Sequence, residues 1–403
     1  MIKRAHELEG YPARMLARLS LAVAAAAVLL APSALAATPD IHAHRGGTVE
    51  NGTPRFGEES LRAYRNAALH GFVFEVDAKL TEDGVPVAIH DATLDRTTNC
   101  SGEVRTRTLA ELASCRTDVL GSPGSPLRTR GARHTEPIAT IAQVLKLAKR
   151  TGVGVNLEIK NIPTDSDFDA TPAFANRVMD TVVASRLPRS QLLIQSFVPA
   201  NLDVAKQRLP RVRTSLLSLQ STNEAFAQFA ADHGYDFISP EWPVSGDYVR
   251  RAHGMGLEVA PFTLDAAADV RGAKGAAVDS LITDDPLMAA RALGLRPARF
   301  FDAVVFAKGR RLIATGDLLT PRGVPARQGC RGRLTVRVLS GDRVVRVVRG
   351  RLNRNCEFFF DGGPKRRRLA SARVTVRFEG NARVLPSLEG PERIRPKQPD
   401  FSP

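Results

Sequence analysis

The chain has 403 residues, enough for two or three domains or for one barrel with an accessory module. Apolar residues make up 43% and charged residues 25%, which excludes a fibrous, collagen-like or wholly disordered chain. The net charge is +15, yet residues 298–403 alone hold 24 basic and nine acidic side chains, so the high isoelectric point describes the C-terminal segment and not the rest.

At the N-terminus, Lys3, Arg4, Arg14 and Arg18 precede an apolar run at 19–31, and small residues with the pattern Ala34-x-Ala36 follow. This order predicts a secretory signal peptide over residues 1–36, cut after Ala36 or Ala37, and hence a secreted, extracellular protein. The alternative is an uncleaved membrane anchor. Its apolar core would be 13 residues, short of the ~20 that span a bilayer.

Between residues 40 and 296, short apolar strands alternate with helical stretches. Strands are predicted near 41–44, 72–77, 153–159, 192–197, 213–217, 237–239, 257–262 and 280–283. Helices are predicted at 59–69, 141–149, 173–185, 201–208, 223–232 and 244–253. Eight strands alternating with helices over this length predict an α/β fold, a (β/α)₈ TIM barrel. Thr81-Glu-Asp-Gly84 is a turn signal with no room for a helix after it, so 85–90 is read as the returning arm of a β-hairpin on the second strand. Residues 91–136 then form an insertion.

Beyond Arg296-Pro297, the stretches 334–338, 344–348 and 374–378 alternate apolar and polar residues. They predict a small all-β sandwich over 298–392, loosely immunoglobulin-like, followed by a disordered Pro-rich tail at 393–403. Cys100 and Cys115, and Cys330 and Cys356, lie close in sequence. Three pairings are open, and the local one is the most economical because each bridge then closes a short loop. The basic run Lys365-Arg-Arg-Arg368 comes without a zinc-finger, RNA-binding-strand or helix-turn-helix pattern, so no nucleic acid is expected. Anionic wall or membrane surfaces are the expected partners of this segment, alongside a purely structural role.

Chemistry concentrates at predicted strand ends. Glu75 and Asp77, two residues apart, share one face of a strand, and Glu158 and Lys160 repeat that spacing. Three carboxylates at a barrel mouth make a hard oxygen site suited to Ca²⁺ or Mg²⁺. The competing reading is ordinary ion-paired rim residues. His44 and His90 also end strands and suit general acid–base work, while Arg45 and Lys160 suit a phosphate. His42 reads equally as a structural hydrogen-bonder.

The motifs Ala43-His-Arg-Gly46, Glu75-Val-Asp77, Thr81-Glu-Asp-Gly84, His90-Asp91, Leu94-Asp-Arg-Thr-Thr98, Glu158-Ile-Lys160, Ser196-Phe197 and Thr283-Asp-Asp-Pro286 occur in this order. Over residues 40–295 the sequence resembles the glycerophosphodiester phosphodiesterase family. The resemblance implies Glu75, Asp77 and Glu158 as metal ligands, His44 and His90 as the acid–base pair, and Arg45 and Lys160 at the phosphate. It implies attack of the glycerol 2-hydroxyl on phosphorus, with His44 as base and His90 as acid or the two exchanged, then ring opening by water. Products would be glycerol 3-phosphate and an alcohol. The family's Glu-Asn-Thr stretch is matched by Glu58-Glu59-Ser60, with a second carboxylate in place of the asparagine. Glu58, Gln195, Trp242 and Phe262 are candidates for the substrate cleft. The rival functions are cleavage of a lysolipid or glycerol-phosphate polymer by the same chemistry, and non-catalytic binding, against which the complete set of site residues counts.

Overall fold

A computed structural model describes residues 38–117, 136–219, 223–308, 311–341, 343–364 and 373–393. The expected signal segment, the Lys365–Arg368 run, residues 118–135 of the insertion and the tail from 394 lie outside the described residues.

In chain order the first strands are β1 (Asp40–Ala43), β2 (Val73–Leu80), β3 (Pro86–Ala88), β4 (Val155–Ile159), β5 (Leu192–Ser196), β6 (Arg213–Ser218), β7 (Phe237–Pro240), β8 (Glu258–Val259) and β9 (Ser280–Thr283). All but β3 pair in parallel, in the order β8-β7-β6-β5-β4-β2-β1-β9. Three backbone hydrogen bonds span the seam between the ends of this sheet. Asp279 N–H donates to Val259 O at 3.0 Å, Ile282 N–H to Pro261 O at 3.0 Å, and Leu264 N–H to Ile282 O at 2.9 Å. The sheet is therefore a near-closed barrel of eight strands, the α/β fold that the alternating pattern predicted.

The helices are α1 (Leu61–Leu69), α2 (Ile141–Thr151), α3 (Ala173–Ser185), α4 (Pro199–Arg208), α5 (Glu224–Asp232), α6 (Gly246–Gly254), α7 (Ala267–Ala276) and α8 (Pro286–Ala292). Ser60, Thr140, Asn223, Ser245 and Asp285 cap five of them by accepting a backbone N–H with the side-chain oxygen. Apolar helix faces meet the strands in one core that includes Phe74, Leu145, Leu157, Ile194, Leu202 and Val249. Sequence reading missed α7 and α8. Gly272 and Gly275 weaken the helical signal of the first, and the second is short and led by Pro286.

β3 pairs antiparallel with β2, Ala88 opposite Ala78 and Val87 opposite Lys79, so the hairpin expectation is met. Beside it, Val87, Ile89, Leu94, Val104, Leu112, Cys115 and Ile138 form a small separate core. The Cys100–Cys115 disulfide staples this region.

The C-terminal strands are β10 (Arg299–Lys308), β11 (Arg311–Leu319), β12 (Arg333–Ser340), β13 (Arg343–Arg351), β14 (Glu357–Pro364), β15 (Arg373–Phe378) and β16 (Ser387–Arg393). They form two antiparallel sheets, β10-β11-β14 and β13-β12-β15-β16, around a shared core with Phe300, Leu318, Val336, Phe358 and Val376. Cys330–Cys356 links them, so both cysteine pairs are local. The fourth strand, β13, joins β12 and not β14, unlike the constant-type immunoglobulin arrangement. Only β12, β13 and β15 were legible in the sequence, because β10 and β14 carry runs such as Phe358-Phe-Phe360 without alternation. Arg337 and Arg377 each donate to Thr151 O at the end of α2, and Leu385 and Leu388 enter the barrel core. Barrel and C-terminal strands thus make one compact unit.

Candidate active site

The parallel register sets Asp77 on β2 beside Glu158 on β4, and Glu158 beside Gln195 on β5. Oxygens of Glu75, Asp77 and Glu158 all lie within 4.8 Å of one another, and all three residues are buried. Both Asp77 oxygens and Glu158 Oε1 are buried without a hydrogen-bond partner. Burial pushes the Glu75 and Glu158 carboxyls well above the carboxylate range, and the Asp77 charge adds to this. Asp77 moves the other way: burial opposes its charge, but Lys160, His90 and Arg45 outweigh burial. Orphaned hard oxygens and mutually repelling carboxylates fit a divalent cation, which would relieve both costs. Lys160 Nζ stands 3.1 Å from Glu158 Oε1 and 3.6 Å from Asp77 Oδ1, and Arg45 Nε lies 3.6 Å from Asp77 Oδ2.

His44 and Arg45 sit on a tight turn directly after β1. At Gly46 φ is +94°, and an added Cβ would stand 2.7 Å from the Ala63 Cβ on α1, so only glycine lets the turn pass this close to the helix. The turn aims Arg45 N–H at Glu75 Oε2, 2.8 Å away.

The two histidines are held alike and charged differently. His44 Nδ1 is 2.7 Å from Asp284 Oδ1, and His90 Nδ1 is 2.6 Å from Asp91 Oδ1. A carboxylate accepts, so each Nδ1 carries the proton and each Nε2 is left for substrate. At His44, burial and Arg45 disfavour the imidazolium, but Asp284 and Glu75 outweigh them and lift its pKa to about 9. At His90, burial and Arg45 prevail and lower the pKa to about 4. The electrostatics thus favour a protonated His44 and a neutral His90, the second of the two assignments that the sequence left open.

A chain of charges joins the two histidine motifs. Arg96 donates to Asp91 Oδ2 at 2.5 Å and Oδ1 at 3.0 Å, and to Glu58 Oε1 at 2.6 Å and Oε2 at 2.9 Å. Glu58 in turn accepts from Arg45 at 3.1 Å. Glu58 therefore sits inside an ion-pair network and not on an open cleft wall. Asp284, Asp91 and Arg96 fell within recognised motifs, but their roles were not read from sequence: Asp284 and Arg96 act on partners distant along the chain, and Asp91, although next to His90, is held by Arg96.

The remaining candidates divide. Gln195 is buried, accepts from Asn156 Nδ2 and donates to Glu75 Oε1 at 2.8 Å, so it holds a carboxylate from below and does not line a cleft. Phe262 meets Phe197 edge-on at 6.1 Å, and Lys160 Nζ lies 5.7 Å from the Phe197 ring centre, which places this aromatic pair beside the site. Trp242 packs over Gly272 on α7 and against the barrel core. His42 lies buried with Nδ1 3.2 Å from Asn156 Nδ2, a structural contact, and burial lowers its pKa to about 4.

Glu59 takes the family asparagine's place at φ +60°, a backbone region that asparagine tolerates better. It is no fourth ligand among the described residues. One oxygen accepts Asp77 N–H at 3.0 Å and the other accepts the Tyr64 hydroxyl. Burial, with Asp77 and Glu75 nearby, raises its pKa well above the usual range.

The match to known proteins agrees with this geometry. The model of the glycerophosphoryl diester phosphodiesterase family covers residues 44–288. The chain belongs to this family. Among curated relatives, a glycerophosphodiester phosphodiesterase of Caldanaerobacter subterraneus is 27% identical over 245 residues, 60% of this chain and 93% of the relative. One from Bacillus altitudinis is 24% identical, over 61% of this chain and 94% of its own length. A putative glycerophosphoryl diester phosphodiesterase of Silicibacter pomeroyi shares the fold with a TM-score of 0.54 at 24% identity, covering 63% of this chain and 92% of that one. A phosphodiesterase of Oleispira antarctica, solved in complex with the product sn-glycerol-3-phosphate, superposes with a TM-score of 0.52 at 21% identity, covering 64% and 97%. The family match ends before the C-terminal strands begin.

Proposed function

We propose that the chain hydrolyses glycerophosphodiesters to sn-glycerol 3-phosphate and an alcohol, with a divalent cation held by Glu75, Asp77 and Glu158. The observation that carries this reading is the buried triad, whose oxygens converge, both of Asp77 and one of Glu158 without a hydrogen-bond partner, beside two carboxylate-held histidines. A bound Ca²⁺ or Mg²⁺ would supply Lewis-acid stabilisation of charge on the phosphoryl oxygens. Arg45 and Lys160 add fixed positive charge there. His90, kept neutral, takes the proton of the glycerol 2-hydroxyl as that oxygen attacks phosphorus. His44, kept cationic, gives its proton to the leaving alcohol. The roles exchange when water opens the cyclic phosphate, which restores both rings. The product bound to the Oleispira antarctica neighbour supports glycerol 3-phosphate as one product.

The reading also takes 40–296 as the catalytic domain and 298–392 as a basic accessory domain, in a protein exported by its N-terminal segment. The two disulfides support an oxidising location. The test is product analysis with a panel of glycerophosphodiesters, with and without EDTA. Glycerol 3-phosphate should form, vanish on chelation and return with added Ca²⁺ or Mg²⁺. Turnover that survives complete chelation would remove the metal from the reading. Release of lysolipid or polymer fragments without turnover of small diesters would favour the lysolipid or glycerol-phosphate polymer alternative.

A further inference from the structure

Away from the barrel mouth, the C-terminal sheets end in a groove of about 860 Å³. Cys330, Leu352 and Gly332 belong to its lining, and the Cys330–Cys356 disulfide ties its two sides together. Five arginines line it: Arg327 on the short helix Ala326–Gly329, Arg331 and Arg333 at the start of β12, and Arg351 and Arg354 at and after the end of β13. All five are exposed, and none makes a side-chain hydrogen bond or ion pair among the described residues. The one carboxylate among the described lining residues, Glu379, already pairs with Arg377 Nε at 2.9 Å.

Like charges around a concavity repel one another, and among the described lining residues only Glu379, already paired, carries the opposite charge. A bound anion would offset the repulsion. Guanidinium forks match phosphate oxygens, and five of them exceed what a single phosphate neutralises. No aromatic side chain is present among the described lining residues, which thus offer none of the stacking platforms that single-stranded nucleic acids use. None of the exposed large apolar residues lies in it, so it offers no wedge for a lipid bilayer.

We propose that this groove binds a base-free chain carrying several phosphates, and so holds the enzyme on a phosphodiester polymer. The binding claim stands on the groove alone. The tethering claim rests on the phosphodiesterase reading above.

The test uses the full chain and long-chain inorganic polyphosphate as probe, with inorganic phosphate, a single-stranded oligonucleotide and vesicles of anionic phospholipid as competitors. Replacing Arg331, Arg351 and Arg354 together by Gln should weaken polyphosphate binding about tenfold or more and flatten its dependence on log salt by about two. The same three positions changed to Lys should retain most of the affinity. Changing Arg250, Arg271 and Arg291 on the barrel to Gln removes equal charge and should leave binding unchanged. Equal losses in the groove and barrel variants would overturn the proposal, as would vesicles or oligonucleotide displacing polyphosphate more effectively than added polyphosphate does. Hydrolysis of a soluble glycerophosphodiester, measured on the same variants, should not change. A chain that binds polyphosphate without hydrolysing any diester would sink the proposed function and leave the groove standing. A chain that hydrolyses small diesters without binding polyphosphate would do the opposite.

Discussion

The barrel mouth and the C-terminal groove both gather charge, and they treat it in opposite ways. At the mouth, Arg45, Glu58, Arg96 and Asp91 are linked by short contacts, and their side chains are between 11% and 26% exposed. In the groove, five arginines face water without partners among the described residues. Buried charge is tolerated only when paired, because an isolated ion loses its hydration, whereas an exposed arginine keeps it. The mouth is therefore preorganised and weakly dependent on salt, while the groove is open to an external anion and sensitive to salt. Variants at each place should separate these two kinds of charge.

The largest effect should come from the carboxylate triad. Glu75→Gln or Glu158→Gln removes a ligand charge, and kcat/KM should fall by about a thousandfold, with weaker metal affinity measurable by titration calorimetry. Next, His44→Asn or His90→Asn should lower kcat by about a hundredfold or more. A variant of either kind with full activity would break the claim that the buried charges do the chemistry.

Asp284→Asn tests how His44 is charged. The raised His44 pKa means that the imidazolium persists below about pH 9 and is lost as pH rises through that value. Without the Asp284 charge the ring should lose its proton earlier, so the alkaline limb of the kcat/KM profile should shift down by about one to two pH units. An upward shift, or none, would return His44 to the role of base.

Arg96→Met should separate positioning from contact. It takes one of two partners from each of Glu58 and Asp91, which keep Arg45 and His90, so stability should drop by about 2 kcal/mol in urea titrations, with a lower kcat and little change in KM. Removing the Cys330–Cys356 bridge by paired Ser substitution should cost about 3 kcal/mol in the C-terminal strands, and small-diester hydrolysis should survive at moderate temperature. The smallest effect is expected for Glu59→Gln. An amide can donate to the Tyr64 hydroxyl, which itself can turn to Glu75 O at 3.2 Å, so kcat should stay within about threefold while the melting temperature rises.

Much of the barrel could be read from the sequence because its strands and helices have distinct periods, and each period is a local property. The hairpin after β2 was legible for the same reason, since Asp83-Gly84 leaves no room for a crossover. Motif spacing also singled out Glu75, Asp77, Glu158, His44 and His90, although β2 runs on to Leu80, so Glu75 and Asp77 lie within it and not at its end. Tertiary structure alone decided which side chains touch. Asp284 reaches His44 across 240 residues of chain, and Gln195 reaches Glu75 across 120, contacts that no local pattern encodes. It also decided the charge states of the two histidines, because these depend on which carboxylates and guanidiniums surround each ring and on how much water is excluded. The same holds for the groove: the sequence determined that the C-terminal segment is basic, but only the folding of two sheets around one disulfide gathered five of its arginines at a single concavity.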